Sequence, residues 1–173
     1  MDNSVANYFS LNRTEDTTEF FYLLTTIFDL SIHFALIVLC TAVLIYLFRG
    51  LRQSVVFISS IFAGGVIVVL LKSIFGIDRP AEGIIEVVGK SFPSGHATIA
   101  TIFFVMLMHA FDKGLGGYKK IVFNFFSILL MLFVSLSRLY LGVHWLSDAL
   151  FGILLGLLIS WAAIYIADNV RVK

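Results

Sequence analysis

Five apolar runs set the limits on what this chain can fold into. They extend from about Phe20 to Phe48, Val55 to Phe75, Ser94 to Phe111, Ile121 to Leu136 and His144 to Ala167. A helix crosses the hydrocarbon core in about 20 residues, and each run is of that order. The 173 residues are 60% hydrophobic and only 13% charged, so a water-soluble fold would expose large sticky patches. Two prolines in the whole chain suit long unbroken helices. The expected fold is all-α: one integral membrane bundle of about five transmembrane helices, with no soluble domain attached. Its expected parts are a polar N-terminal segment (1–19), a transmembrane domain (20–168) and a short basic tail (169–173).

Loop charges give the orientation. Arg49 and Arg52 lie between the first two runs, Lys113, Lys119 and Lys120 between the third and fourth, and Arg171 and Lys173 after the fifth. The positive-inside rule makes these ends cytoplasmic. The N-terminal segment, the loop from Gly76 to Pro93 and the turn after Arg138 then fall outside. The acidic balance of the first segment (Asp2, Glu15, Asp16 and Glu19 against Arg13) agrees, and that segment lacks the pattern of a cleavable signal peptide. A net charge of +1 without a basic run gives no sign of nucleic-acid binding. One cysteine, Cys40, allows no internal disulfide and reads as a small buried apolar residue.

Three polar clusters share the expected outer side: KSIFGIDRP (Lys72 to Pro80), PSGH (Pro93 to His96) and SRLYLGVHWLSD (Ser137 to Asp148). Ionisable groups are costly beside a membrane and tend to mark function. His144 and Asp148 are four residues apart, which on a helix puts them on one face. An aspartate there can fix the imidazole tautomer and leave the other nitrogen free to attack an electrophile. Arg138 offers a planar fork for two phosphate oxygens. Ser94 and Gly95 open a run whose helical N-terminus would present free N–H groups to an anion, and His96 could protonate a leaving oxygen. Lys72 and Arg79, if helix continues between them, lie two turns apart on one face. Each cluster alone also fits a plainer reading as a helix cap or as interface anchors. Together they supply phosphate donors, a nucleophile and an acid on one side.

The clusters resemble the three-part signature of the type 2 phosphatidic acid phosphatase superfamily, the lipid phosphate phosphatases. KxxxxxxRP is matched at Lys72, Arg79 and Pro80, PSGH at Pro93, Ser94, Gly95 and His96, and SRxxxxxHxxxD at Ser137, Arg138, His144 and Asp148. The resemblance covers about Phe20 to Ala167 and points to a bacterial membrane member. Family members commonly have six spans where five are counted here, and the extra one normally precedes the segment that begins near Asp2. The chain is therefore expected to be either a compact natural form or a piece of a longer protein. The resemblance implies that His144 attacks phosphorus to form a phosphohistidine, oriented by Asp148, while His96 protonates the leaving group. Lys72, Arg79, Ser94, Gly95 and Arg138 would hold the phosphoryl oxygens. It implies no metal and no cofactor. The substrate would be a lipid phosphate or diphosphate monoester (phosphatidic acid, phosphatidylglycerophosphate or a polyprenyl diphosphate), met at the outer face of the cell membrane. A lipid phosphotransferase sharing the first half-reaction, or a silent lipid-phosphate binder, are the rival readings. The short outer loop favours a site open sideways to lipid.

Other residues remain outside the signature. Asp29 and His33 are four apart in the first run, and Asp29 could lie near the phosphate. His109 reads as a packing residue at the far end of its run. Asp78, Glu82 and Glu86 read as solvated loop acids able to repel extra negative charge. Ile84, Ile85, Val87 and Val88 let their loop dip into the interface. Tyr22, Tyr140 and Trp145 fit an outer aromatic belt. Gly152 and Gly156 form a GxxxG, and Gly64 with Gly65 reads likewise as a place of close helix approach.

Overall fold

A computed structural model describes residues 1–29, 31–112 and 114–169. These form seven helices: α1 (Asp2–Leu11), α2 (Glu15–Thr26), α3 (Ile32–Arg49), α4 (Leu51–Phe75), α5 (Gly95–Asp112), α6 (Gly117–Tyr140) and α7 (Leu146–Asn169), with no strand among the described residues. Helices α3 to α7 are the five long and apolar enough to cross a membrane. The chain is a multi-pass, all-α membrane bundle, as its apolar runs require. Lys113, Arg171, Lys173 and all of the expected basic tail except Asn169 lie outside the described residues.

The first expected span is not one helix. Ser31 accepts a hydrogen bond from the Phe34 N–H and starts α3 afresh, so the chain breaks between Thr26 and Ile32. A serine that satisfies an early N–H of the following helix competes with continuing the preceding one. The segment expected to be merely polar is helical too. Thr14 and Thr17 form a capping box that opens α2. Helix α1 packs on α6 and α7, and α2 packs on α6. The boundary expected at residue 20 therefore falls inside α2.

Helix α5 is the central strut, packed against α3, α4, α6 and α7. Glycines on its neighbours α4 and α7 make that possible. A Cβ at Gly152 would stand 2.8 Å from the Ser94 carbonyl oxygen, and one at Gly156 would stand 2.8 Å from that of Thr98. The GxxxG of α7 is thus used within the chain, seating α7 on α5. Gly64 is used likewise, because a Cβ there would collide with Ile102; Gly65 has open space and makes no such approach. Phe28, Phe34, Phe57, Phe103 and Phe104 fill the adjoining core. The hydroxyls within the bundle donate to carbonyls one turn back, as Thr98 does to Ser94 at 2.9 Å and Thr101 to Ala97 at 2.7 Å. That satisfies them where no water is at hand. Cys40 is exposed on the outer face of α3, not buried as expected.

Up-and-down connectivity brings the ends of four helices together. The C-terminal ends of α4 and α6 and the N-terminal ends of α5 and α7 share one end of the bundle. All three polar clusters lie there. Arg49, Arg52, Lys119 and Lys120 flank the opposite end.

Candidate active site

The loop between α6 and α7 carries His144. Leu141 ends α6, and Gly142 turns the chain at φ 71°. The Val143 N–H then returns to the Arg138 carbonyl at 3.1 Å. A Cβ at Gly142 would lie 2.7 Å from the Glu82 carbonyl oxygen, so both the backbone angle and the packing of the 76–94 loop require glycine. His144 is consequently buried, with its side chain 3% exposed.

His144 and Asp148 do not sit on one helix, as their spacing suggested. His144 precedes α7, and Asp148 lies in its first turn. The carboxylate reaches back across the helix start, accepting from the Trp145 N–H at 2.8 Å and lying 3.3 Å from His144 Nδ1. Ser91 Oγ donates to the same oxygen. Asp148 is therefore at once a helix cap and the partner of an imidazole. On the far side of the ring, Arg79 Nη1 lies 3.3 Å from Nε2. A guanidinium can only donate. Nε2 must accept in that contact, so the proton belongs on Nδ1, facing Asp148. Burial holds His144 well below its ordinary pKa despite the Asp148 hydrogen bond, and the charges of Arg79, Arg138 and Lys72 push the same way. The geometry leaves a neutral imidazole whose Nε2 lone pair faces a cationic surface.

Lys72 and Arg79 do not share a helix either. Gly76, at φ 59°, ends α4 between them. They converge through the loop instead. Lys72 Nζ donates to the Lys90 and Ser91 carbonyls at 2.6 and 2.8 Å. Arg79 donates from Nε to the Gly89 carbonyl at 3.0 Å and from Nη1 to that of Val143 at 2.6 Å. Carbonyls orient these cations without cancelling their charge. Arg138 is 2% exposed and donates from Nη1 to Thr25 Oγ1 at 2.6 Å, while its buried Nε has no partner among the described residues. A buried donor left open is costly and is suited to an anion that fills it. Ser94 caps the start of α5, and its N–H donates to the Asp148 carbonyl at 3.1 Å, joining the second and third clusters. Gly95 follows at the helix start.

His96 points its Nε2 to Asp29 Oδ1, 2.7 Å away. Both face a cavity of about 490 Å³ whose wall also includes Arg138, Tyr22 and Glu86. Of the remaining expectations, Asp78 is exposed and pairs with Lys90 at 2.6 Å. His33 is exposed on α3, and His109 lies 3.7 Å from Asp168 at the opposite end of the bundle. Ile85 and Val87 fold over Tyr140, Leu141 and Val143, whereas Val88 is fully exposed. Tyr140 is no belt residue, being 5% exposed with its hydroxyl accepting from the Thr14 N–H at 3.0 Å. Trp145 sits beside His144 and donates to the Asp78 carbonyl at 2.9 Å.

Sequence reasoning missed Ser91, Thr25 and Arg13. Arg13 donates to the Tyr140 and Glu82 carbonyls at 2.9 and 2.8 Å, clamping the N-terminal helices and the loop to the end of α6. As the lone cation of an acidic segment it was a visible anomaly. Ser91 and Thr25 carry no such signal.

Known proteins resemble this chain in sequence and in fold. Over 72 residues the chain is 39% identical to phosphatidylglycerophosphatase B of Bacillus subtilis, covering 40% of this chain and 35% of that protein. Over 83 residues it is 35% identical to an undecaprenyl-diphosphatase of Sulfolobus acidocaldarius, covering 48% of this chain and 36% of that one. The matches thus span about a third of the length of these curated relatives. The fold superposes on the crystal structure of a transmembrane PAP2-type phosphatidylglycerolphosphate phosphatase from Bacillus subtilis with a TM-score of 0.88, at 21% identity over 98% of this chain and 86% of that one. Aquifex aeolicus LpxE gives a TM-score of 0.75 at 22% identity, over 94% of each chain. The family model for the PAP2 superfamily matches residues 53–171, a stretch that holds all three polar clusters, and the chain belongs to that superfamily.

Proposed function

We propose that the chain is a membrane lipid phosphatase that hydrolyses a phosphate or diphosphate monoester through a phosphohistidine on His144. The observation that carries this reading is the Nε2 of His144, which accepts from Arg79 while Asp148 backs the other ring nitrogen. A neutral imidazole with a fixed lone pair is a nucleophile. As Nε2 bonds to phosphorus, the bond to the lipid oxygen breaks and His96 gives that oxygen a proton. Water then attacks the phosphohistidine, returns a proton to His96 and frees inorganic phosphate. Lys72, Arg79 and Arg138, with Ser94 and Gly95 at the start of α5, offset the charge gathering on the phosphoryl oxygens. No metal enters this scheme, so EDTA should leave turnover intact.

The names of the relatives suggest the substrates to try first: phosphatidylglycerophosphate and undecaprenyl diphosphate, with phosphatidic acid beside them. The basic residues flanking the opposite end of the bundle support a site on the extracytoplasmic face. Phosphate release from each lipid, with His144→Ala as the blank, tests the reading. Release from none of them by the wild-type protein would sink it. Label passing to an added lipid acceptor instead of water would make the protein a phosphotransferase.

A further inference from the structure

A second carboxylate backs the second imidazole. Asp29 lies in the break between α2 and α3, outside the three clusters and outside the family match to residues 53–171. The break is a built turn. Phe28 donates from its N–H to the Thr25 carbonyl at 2.9 Å, and Ser31 to that of Asp29 at 2.6 Å. The Phe28 ring anchors it in the core against Phe34, Phe103 and Phe104. From this turn Asp29 Oδ1 reaches His96 Nε2 at 2.7 Å, while Thr25, one helical turn earlier, holds Arg138. The same short stretch therefore supports two residues of the site.

Resting on the phosphatase reading, we propose that Asp29 is the positioning residue of the general acid: it holds His96 through Nε2 and leaves Nδ1 to hand over the proton. Among the described residues Nδ1 of His96 has no hydrogen-bond partner. When the bond between phosphorus and the lipid oxygen breaks, the Nδ1 proton passes to that oxygen and the ring becomes neutral, its Nε2–H still given to Asp29. In the second step Nδ1 takes a proton from the attacking water, which restores the imidazolium. Asp29 itself neither gains nor loses a proton. Its carboxyl is held below the usual carboxylate range by the His96 hydrogen bond, against burial and with help from the charges of His96 and Arg138. The charges of Arg138 and Arg79 oppose Asp29 at His96, and Glu86 and Tyr22 are the other titratable groups on the cavity wall. Asp29 is therefore an anion throughout the working range, able to favour the protonated ring.

The test uses the full chain in detergent with two probes: dioctanoyl phosphatidic acid, whose alkoxide leaving group needs a proton, and p-nitrophenyl phosphate, whose leaving group does not. Asp29→Asn keeps the shape and removes the charge. It should lower kcat on the alkyl ester about 10- to 100-fold, spare the aryl ester in part, and move the alkaline limb of the pH profile to lower pH. Asp29→Glu should restore that limb, and it decides the matter if the asparagine variant does not fold. Equal losses on both probes with an unmoved limb, or no loss at all, would overturn the proposal. His144→Ala is run alongside. If it is dead while Asp29→Asn behaves as wild type, only the Asp29 role falls; if it turns over normally, the phosphatase reading falls too.

Discussion

The site holds two imidazole–carboxylate pairs, and they are built in opposite ways. His144 and Asp148 come from one segment, four residues apart, with side chains 3% and 1% exposed. His96 and Asp29 come from different parts of the chain, 67 residues apart, with side chains 17% and 44% exposed. Asp148 is held by Ser91 and the Trp145 N–H as well as by its histidine, whereas Asp29 rests on a turn at the cavity wall. The difference fits the two jobs proposed. A nucleophile must keep one tautomer and stay neutral, so sealing and several hydrogen bonds serve it. A general acid must exchange protons with the leaving group and with water, so its pair lies open.

The largest effect expected is that of His144→Ala. Removing the proposed nucleophile should leave phosphate binding but no covalent route, and turnover should fall by at least ~10³-fold. Phosphate release within tenfold of wild type would show that the sealed pair has some other task. The open pair should matter less and more selectively. His96→Ala should cost roughly 10²- to 10⁴-fold on an alkyl ester and clearly less on an aryl ester with an acidic leaving group. If the loss is the same for both, the two pairs do not divide the work as proposed.

This asymmetry also explains what the sequence could disclose. The sealed pair lies within twelve residues, Ser137 to Asp148, so spacing brought it to notice together with Arg138. Helical spacing was nonetheless the wrong reason. His144 stands before α7, and the contact depends on Asp148 reaching back to cap the helix. Lys72 and Arg79 repeat the lesson, since Gly76 ends the helix between them and loop carbonyls bring them into place. The apolar runs disclosed five spans because burial in lipid demands length and little else. They concealed the break at Ser31, where a single hydroxyl restarts the helix amid an apolar stretch. Asp29 and Thr25 lie at that break, so their contacts with His96 and Arg138 depend on an interruption of the helix that no periodicity encodes.

Ser91→Ala sharpens the comparison at smaller scale. It removes one donor to Asp148 and leaves the Trp145 N–H and His144 Nδ1 in place. A sealed pair with several supports should tolerate this, losing about tenfold in kcat with the pH profile unchanged. A loss approaching that of His144→Ala would mean that Ser91 alone fixes the carboxylate, and that the pair is less over-determined than its hydrogen bonds suggest.

The smallest effect separates the pairs by pH. Burial keeps His144 neutral in the fold, at a pKa below its ordinary value. Below about pH 6.5 the unfolded chain therefore binds a proton that the folded chain refuses. Stability should fall as pH drops from there, by at most about 1.4 kcal/mol per pH unit for this one group. His144→Gln cannot titrate and should flatten that fall in thermal inactivation measured in detergent. Asp29 has its folded pKa depressed as a carboxylate, so its contribution is complete above about pH 3.9 and is lost only in stronger acid. Between pH 5 and pH 6.5 its own titration adds nothing to the slope. A slope over that range that is the same in His144→Gln and wild type would place a proton, or water, beside His144 in the folded protein, and the sealed pair would then be as open as its partner.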